Sequence, residues 1–173
     1  MDPTPSLAAQ QESLFPLPAA HPPRPYRLPI YRVQLVRDAS LTLEQPQCRS
    51  SRDSAAMFRR YLGPTLDREH FVVALLDTKN KLIGINTVSI GSLNASVVHP
   101  REVFKPAILA NANAILCAHN HPSGAPAPSQ EDRLLTRKLV LAGEALGIKV
   151  LDHIVLGDGS ETYYSFADEA LLA

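Results

Sequence analysis

Apolar and polar positions follow several rhythms along this chain, and each rhythm predicts an element. From Ile30 to Val36 apolar residues alternate with others, which predicts a half-buried strand opening a folded part that begins near Leu28. From Asp53 to Leu62, Ala55, Ala56, Phe58 and Leu62 fall at helical spacing, and Gly63-Pro64 supplies a stop. Phe71 to Leu76 is a short continuous apolar run that ends in the polar cluster Asp77-Thr78-Lys79-Asn80-Lys81. Leu82 to Ile90 then reads as the returning strand of a hairpin. Ala95 to Val98 is expected to be another short strand. Pro100 suits the first position of a helix reaching about Asn113, with Glu102 in its first turn.

Ala114 to His119 is short and apolar, so a strand is favoured over a helix. The strongest helical pattern runs from Ser129 to about Leu146, where Leu135, Leu139, Ala142 and Leu146 recur at three or four residues before Gly147 as C-terminal cap. Ile148 to Leu156 is a further strand, closed by Gly157-Asp158-Gly159. Tyr163 to Phe166 is expected as a last edge strand, followed by a helical turn. Strands and helices are mixed without strict βαβ alternation and without an internal repeat. The expected fold class is α/β, one domain with a mixed sheet and helices packed against it, over residues 30–173. Residues 1–29 differ: they hold eight of the fifteen prolines and little periodic apolar pattern, so a flexible Pro-rich arm is expected.

Composition narrows the function classes. The chain has 173 residues and is 45% hydrophobic, enough for one domain with a core. Its 17 basic and 17 acidic residues balance, so net charge gives no support to nucleic-acid binding. No apolar run approaches the ~20 residues that span a bilayer, and no secretory signal pattern opens the chain. Cys48 and Cys117 make no disulfide framework, so a reduced, cytoplasmic setting is expected.

The chemistry concentrates in His119-Asn120-His121-Pro122, a loop with Gly124, Pro126 and Pro128, and then Ser129-Gln130-Glu131-Asp132. Two neutral imidazoles and one carboxylate form a three-ligand set for a metal that keeps a position for water, which on Zn²⁺ ionises near neutral pH. Side chains alternate along a strand, so Cys117, His119 and His121 share a face if the segment stays extended. Cys117 is then either a small core residue or a fourth ligand that would close the site. Ser129 suits a helix N-cap with Asp132 in the first turn, a role compatible with facing the site. Asp152 and His153 point to opposite faces of their strand, and one is expected as a buried partner near the histidines. Arg59, Arg60 and Tyr61 read as a solvated helix face rather than a basic patch. Two histidines and a carboxylate also suit a non-haem iron centre, which is the rival metal chemistry.

His119-x-His121-Pro122, six residues, then Ser129-x-x-Asp132 resembles the JAMM (MPN-plus) metalloprotease motif at every position. The longer string to Gly124 with Pro128-Ser129, together with Pro100-Arg101-Glu102 and Leu151-Asp152-His153-Ile154, resembles the RadC branch of that family, over roughly residues 28 to 168. The resemblance implies an MPN (JAB)-like domain with cytidine-deaminase-like layering. It also implies a zinc metallopeptidase-like activity on an amide or isopeptide bond in a peptide, a protein tail or a small conjugate. His119, His121 and Asp132 would hold Zn²⁺, and Ser129 would donate to the developing oxyanion. The family further asks for an upstream glutamate at a strand edge. Glu69 is the candidate, with Glu102 and Glu44 as competitors. The alternative is a RadC-like accessory protein of DNA repair whose metal is structural, although a chain this short is not expected to carry the helix-hairpin-helix-like region of full-length members.

Overall fold

Phe71 to Leu76 sits at the middle of the sheet. It is part of β1 (Glu69–Leu76), which lies between β2 (Leu82–Gly91) on one side and β3 (Ala114–His121) on the other. The structure, a computed structural model, describes residues 27–64, 66–91 and 98–172. β1 pairs antiparallel with both neighbours. The turn between β1 and β2 is held by Asp77, whose carboxylate accepts from Lys79 N–H at 2.8 Å and Lys81 N–H at 2.9 Å.

β3 then pairs in parallel with β4 (Lys149–Gly157), and β5 (Tyr163–Ser165) closes the edge antiparallel. The order β2-β1-β3-β4-β5 makes a mixed five-stranded sheet. Parallel pairing of β3 with β4 needs a crossover, and helix α3 (Gln130–Leu146) provides it. Helix α1 (Ser51–Leu62) covers one face, where Ala55, Met57 and Phe58 pack on Val72, Ala74, Leu116 and Ala118. Helix α2 (Pro100–Leu109) and α3 cover the other, where Phe104 and Leu139 pack on Phe71, Val73, Ile115 and Cys117. Alternation along β1 and β3 thus sends successive side chains into two separate cores. Phe58, Phe71, Phe104 and Phe166 are fully buried, each contributing about 1.5–3 kcal/mol of transfer free energy.

The hairpin, the three helices, the central strands and the last edge strand fall where the pattern predicts them. Three details differ. Residues 30–36 carry no strand: Ile30 is 97% exposed and Val36 78%, because an alternating pattern needs a partner edge to become a strand and among the described residues this one has none. Contacts divide the chain into Met1–Arg32 and Val33–Ala173, the latter being the α/β domain. Most of the Pro-rich arm, and residues 95–97 of the strand expected at Ala95–Val98, lie outside the described residues. Helix α2 stops at Leu109, where Asn111 takes φ +52° and Ala112 N–H turns back to Ala107 O at 2.9 Å.

The third difference is the buried face of α3. Asp132, Thr136, Leu139 and Gly143 are buried, Leu135 and Ala142 are half-buried, and Leu146 is exposed. Gly143 allows this rotation, since a Cβ there would lie 2.5 Å from the carbonyl of Ile148. The left-handed Gly147, φ +69°, caps the helix as expected.

Candidate metal centre

The end of β3 and the start of α3 meet by topology. In a crossover between parallel strands the helix begins beside the first strand's C-terminal end, and at such ends open α/β sheets place their sites. His119 and His121 leave that end of β3 on the same side, the face covered by α3. Loop 122–128 is short and braced. Gly124, at φ +82°, donates to His121 O at 2.9 Å, and Asp158 N–H donates to the same oxygen at 3.2 Å. Gly157 lets this loop lie against β4, because a Cβ there would stand 2.4 Å from Gly124 O.

Ser129 caps α3 with a capping box. Its hydroxyl accepts from Asp132 N–H at 3.1 Å and donates to Asp132 Oδ2 at 2.7 Å, and its own N–H donates to the same carboxylate oxygen at 2.7 Å. That fixes the Asp132 carboxylate over the histidines. His119 Nε2 lies 3.2 Å from Asp132 Oδ1, His121 Nε2 lies 3.5 Å from Asp132 Oδ2, and the two Nε2 atoms are 3.1 Å apart. His119 is fully buried, Asp132 nearly so, and His121 opens partly to solvent.

These distances fit a metal. Ligands held about 2.0–2.1 Å from a tetrahedral ion stand about 3.3–3.4 Å from each other, and the three pairs, at 3.2, 3.5 and 3.1 Å, lie close to that separation. The chemistry of the donor set agrees. His121 Nδ1 lies 2.8 Å from the carbonyl of Ala125, which can only accept, so that nitrogen holds the proton and Nε2 presents a lone pair. A carboxylate and a lone pair converging in a buried spot call for positive charge. Without an ion, a proton between the imidazoles and the carboxylate takes that place. Burial would raise the Asp132 pKa, but the hydrogen bonds of His119 and His121 outweigh it and hold that carboxyl well below the usual range. Asp132 in turn raises His121 against the effect of burial, aided by the Ala125 carbonyl and the charge of Glu69. His119, His121 and Asp132 are the group among the described residues that could hold a metal ion.

Residues 48–171 match the RadC-like JAB domain. The chain belongs to that family. A UPF0758 protein of Moorella thermoacetica is 54% identical over 129 residues, which is 73% of this chain and 55% of that protein. A UPF0758 protein of Caldanaerobacter subterraneus is 57% identical over 107 residues, 58% of this chain and 46% of that one. One of Methanosarcina acetivorans is 53% identical over 105 residues, covering 61% and 45%. The chain spans about half the length of the curated relatives it matches.

The remaining candidates of this RadC-like domain sort by position. Glu69 opens β1 two residues before Phe71, whose ring stacks on His119 with centroids 6.1 Å apart, so Glu69 leaves the strand toward the histidine face. It is half-buried and lies outside the three-residue group, yet near enough for its charge to reach His121. Glu102 is engaged on the surface with Lys105 and Arg101, and Glu44 is exposed. Cys117 belongs to the core under α2 and α3, and burial pushes its thiol pKa far up, which is the behaviour of a packing residue. Arg59 donates to Thr162 O at 2.7 Å in the loop before β5, and Tyr61 meets Thr87 of β2 at 3.0 Å, so these two tie α1 to its neighbours. Among the described residues, no helix is long and apolar enough to cross a membrane.

Of the pair Asp152 and His153, the histidine faces the site. His153 is fully buried with Nε2 2.9 Å from His119 Nδ1, and burial holds its pKa well below the ordinary value. Its Nδ1 lies 2.6 Å from the hydroxyl of Thr136. Reading α3 from its leucines misses Thr136. The available signal was its place four residues after Asp132, on the same side of the helix.

Proposed function

We propose that this chain is a zinc-dependent hydrolase of the JAMM type that cleaves an amide or isopeptide bond in a cytoplasmic setting. One observation carries the reading: two imidazoles and a carboxylate converge at tetrahedral ligand spacing at the end of a strand, with His121 partly open to solvent. His119, His121 and Asp132 would hold the zinc, which lowers the pKa of water toward neutrality and so supplies the nucleophile. The chain's own residues do the rest. Glu69, on the same side of the sheet, would serve as the base that takes a proton from the attacking water and passes it to the leaving amine. Ser129 stands at the mouth of α3 beside Asp132. Its hydroxyl donates to Asp132 Oδ2 here and would turn to the developing oxyanion. The braced loop 122–128 keeps these groups in register.

Metal analysis of the purified chain beside Glu69→Gln tests the reading against peptide and isopeptide libraries. Wild type should hold zinc stoichiometrically and cleave. Glu69→Gln should hold it equally and lose about 10²–10⁴ in turnover. Normal cleavage by Glu69→Gln rejects the base assignment. Iron with oxygen-dependent turnover would replace the hydrolase by the facial-triad chemistry, and salt-sensitive retention on DNA without cleavage would favour the accessory role.

A further inference from the structure

We propose that Thr136 and His153 form a tautomer lock that keeps the site-facing Nε2 of His119 free of a proton and so able to bind the metal; the proposal rests on the metal reading above. The main-chain carbonyl of Asp132 can only accept, and the Thr136 hydroxyl donates to it at 2.7 Å. A hydroxyl has one proton, so Thr136 offers only lone pairs to His153 Nδ1 at 2.6 Å. His153 therefore carries its proton on Nδ1 and turns the lone pair of Nε2 toward His119 Nδ1 at 2.9 Å. His119 answers with its proton on Nδ1, which leaves Nε2 bare toward Asp132 and His121. A chain of three hydrogen bonds thus ends in a ligand lone pair. The reverse order shifts every proton by one place and aims an N–H of His119 into the site. It also forfeits the bond from Thr136 to the Asp132 carbonyl. No net charge changes in either order.

The surroundings suit a lock. His153 and Thr136 are fully buried, so no water stands in for a missing partner. The His153 ring is clamped between Phe71 and Phe166, stacked on the latter with an interplanar angle of 10° and centroids 5.1 Å apart, so the ring is held against rotation. Thr136 is a positioning residue acting through two histidines, one turn along α3 from the ligand Asp132.

The test is zinc affinity of the full chain, by competition with a chromophoric chelator, in Thr136→Val, Thr136→Ser and His153→Phe. Valine keeps the shape of threonine and removes the hydroxyl, and zinc binding should weaken about 10–100-fold. Serine keeps the hydroxyl and should restore affinity to within about threefold of wild type. His153→Phe keeps the stacked ring, removes both nitrogens, and should weaken binding as valine does. Imidazole nitrogen shifts of zinc-loaded wild type should place the His153 proton on Nδ1. Equal affinity in Thr136→Val and wild type, or a His153 proton on Nε2, overturns the lock while the metal reading stands. Serine failing as badly as valine also overturns it, because the methyl and not the hydroxyl would then matter. A wild-type chain that takes up no zinc overturns the metal reading and the lock together.

Discussion

Asp132 and Asp152 are both buried carboxylates of this domain, and their surroundings are opposites. Asp152 is ringed by donors: Ser165 Oγ at 2.7 Å, His153 N–H at 2.7 Å and Ala167 N–H at 3.0 Å. Asp132 receives two donors from Ser129 on Oδ2 but turns toward the Nε2 atoms of two histidines. Burial raises the pKa of Asp152, partly offset by those three donors, whereas at Asp132 the imidazoles reverse the sign. A carboxylate satisfied by uncharged donors is a joint of the fold, here tying β4 to β5. One satisfied only when positive charge sits beside it is a site. Burial alone does not separate the two, and the identity of the facing atoms does.

The largest effect should come from Asp132→Asn. The amide oxygen can still cap α3, but zinc affinity should fall about a hundred- to a thousandfold, one ligand's share of the ~10–16 kcal/mol a full structural set supplies. Chelator competition measures it, and an unchanged affinity would erase the distinction between the two aspartates.

Asp152→Ala should do the converse. It orphans a buried hydroxyl and two backbone N–H groups, so stability should drop by about 3 kcal/mol in urea unfolding while zinc affinity of the folded chain stays within a few-fold. Loss of zinc without loss of stability would invert the assignment.

Proton competition comes next. Zinc must displace the proton that Asp132 favours on His121, so affinity should fall by about tenfold per pH unit as pH drops below the raised His121 pKa. In chelator the signs differ by group. His121 contributes stability at low pH that is lost as pH rises through its raised pKa. Asp132 contributes above the ordinary carboxylate range and its contribution is lost as pH falls. Asp152, raised by burial, loses its contribution as pH rises. Denaturation across the acid range should therefore shift in opposite directions for Asp132→Asn and Asp152→Asn. The smallest effect, on stability alone, is that of Ser129→Ala, which removes the cap and should cost about 1 kcal/mol in thermal unfolding.

Much of this was legible in the chain because period and punctuation are local. The run Phe71 to Leu76, the turn at Asp77 to Lys81 and the cap pair Ser129 and Gly147 each declare themselves within a few residues. His119, His121 and Asp132 were legible for the same reason, lying within fourteen residues of one another. What escaped depends on partners. The alternation at residues 30–36 lacks an edge to pair with, so its periodicity produces no strand. The buried face of α3 is set by polar Asp132 and Thr136 and by Gly143, and a reading that follows leucines turns the helix too far. His153 could be placed on a face but not against His119, because β4 meets β3 only after α3 has crossed over.

That crossover has a consequence for how the domain breathes. His119, His121, Asp132, Thr136 and His153 all belong to β3, α3 and β4, a single supersecondary unit. An ion bound there would be released when this unit opens, even if α1 and the outer strand β2 kept their places. Occupancy should then slow amide exchange in β3, the first turns of α3 and β4 by a common factor, and leave the β2 edge exchanging at its own pace. The metal would act as a local clasp on one cooperative piece of the protein.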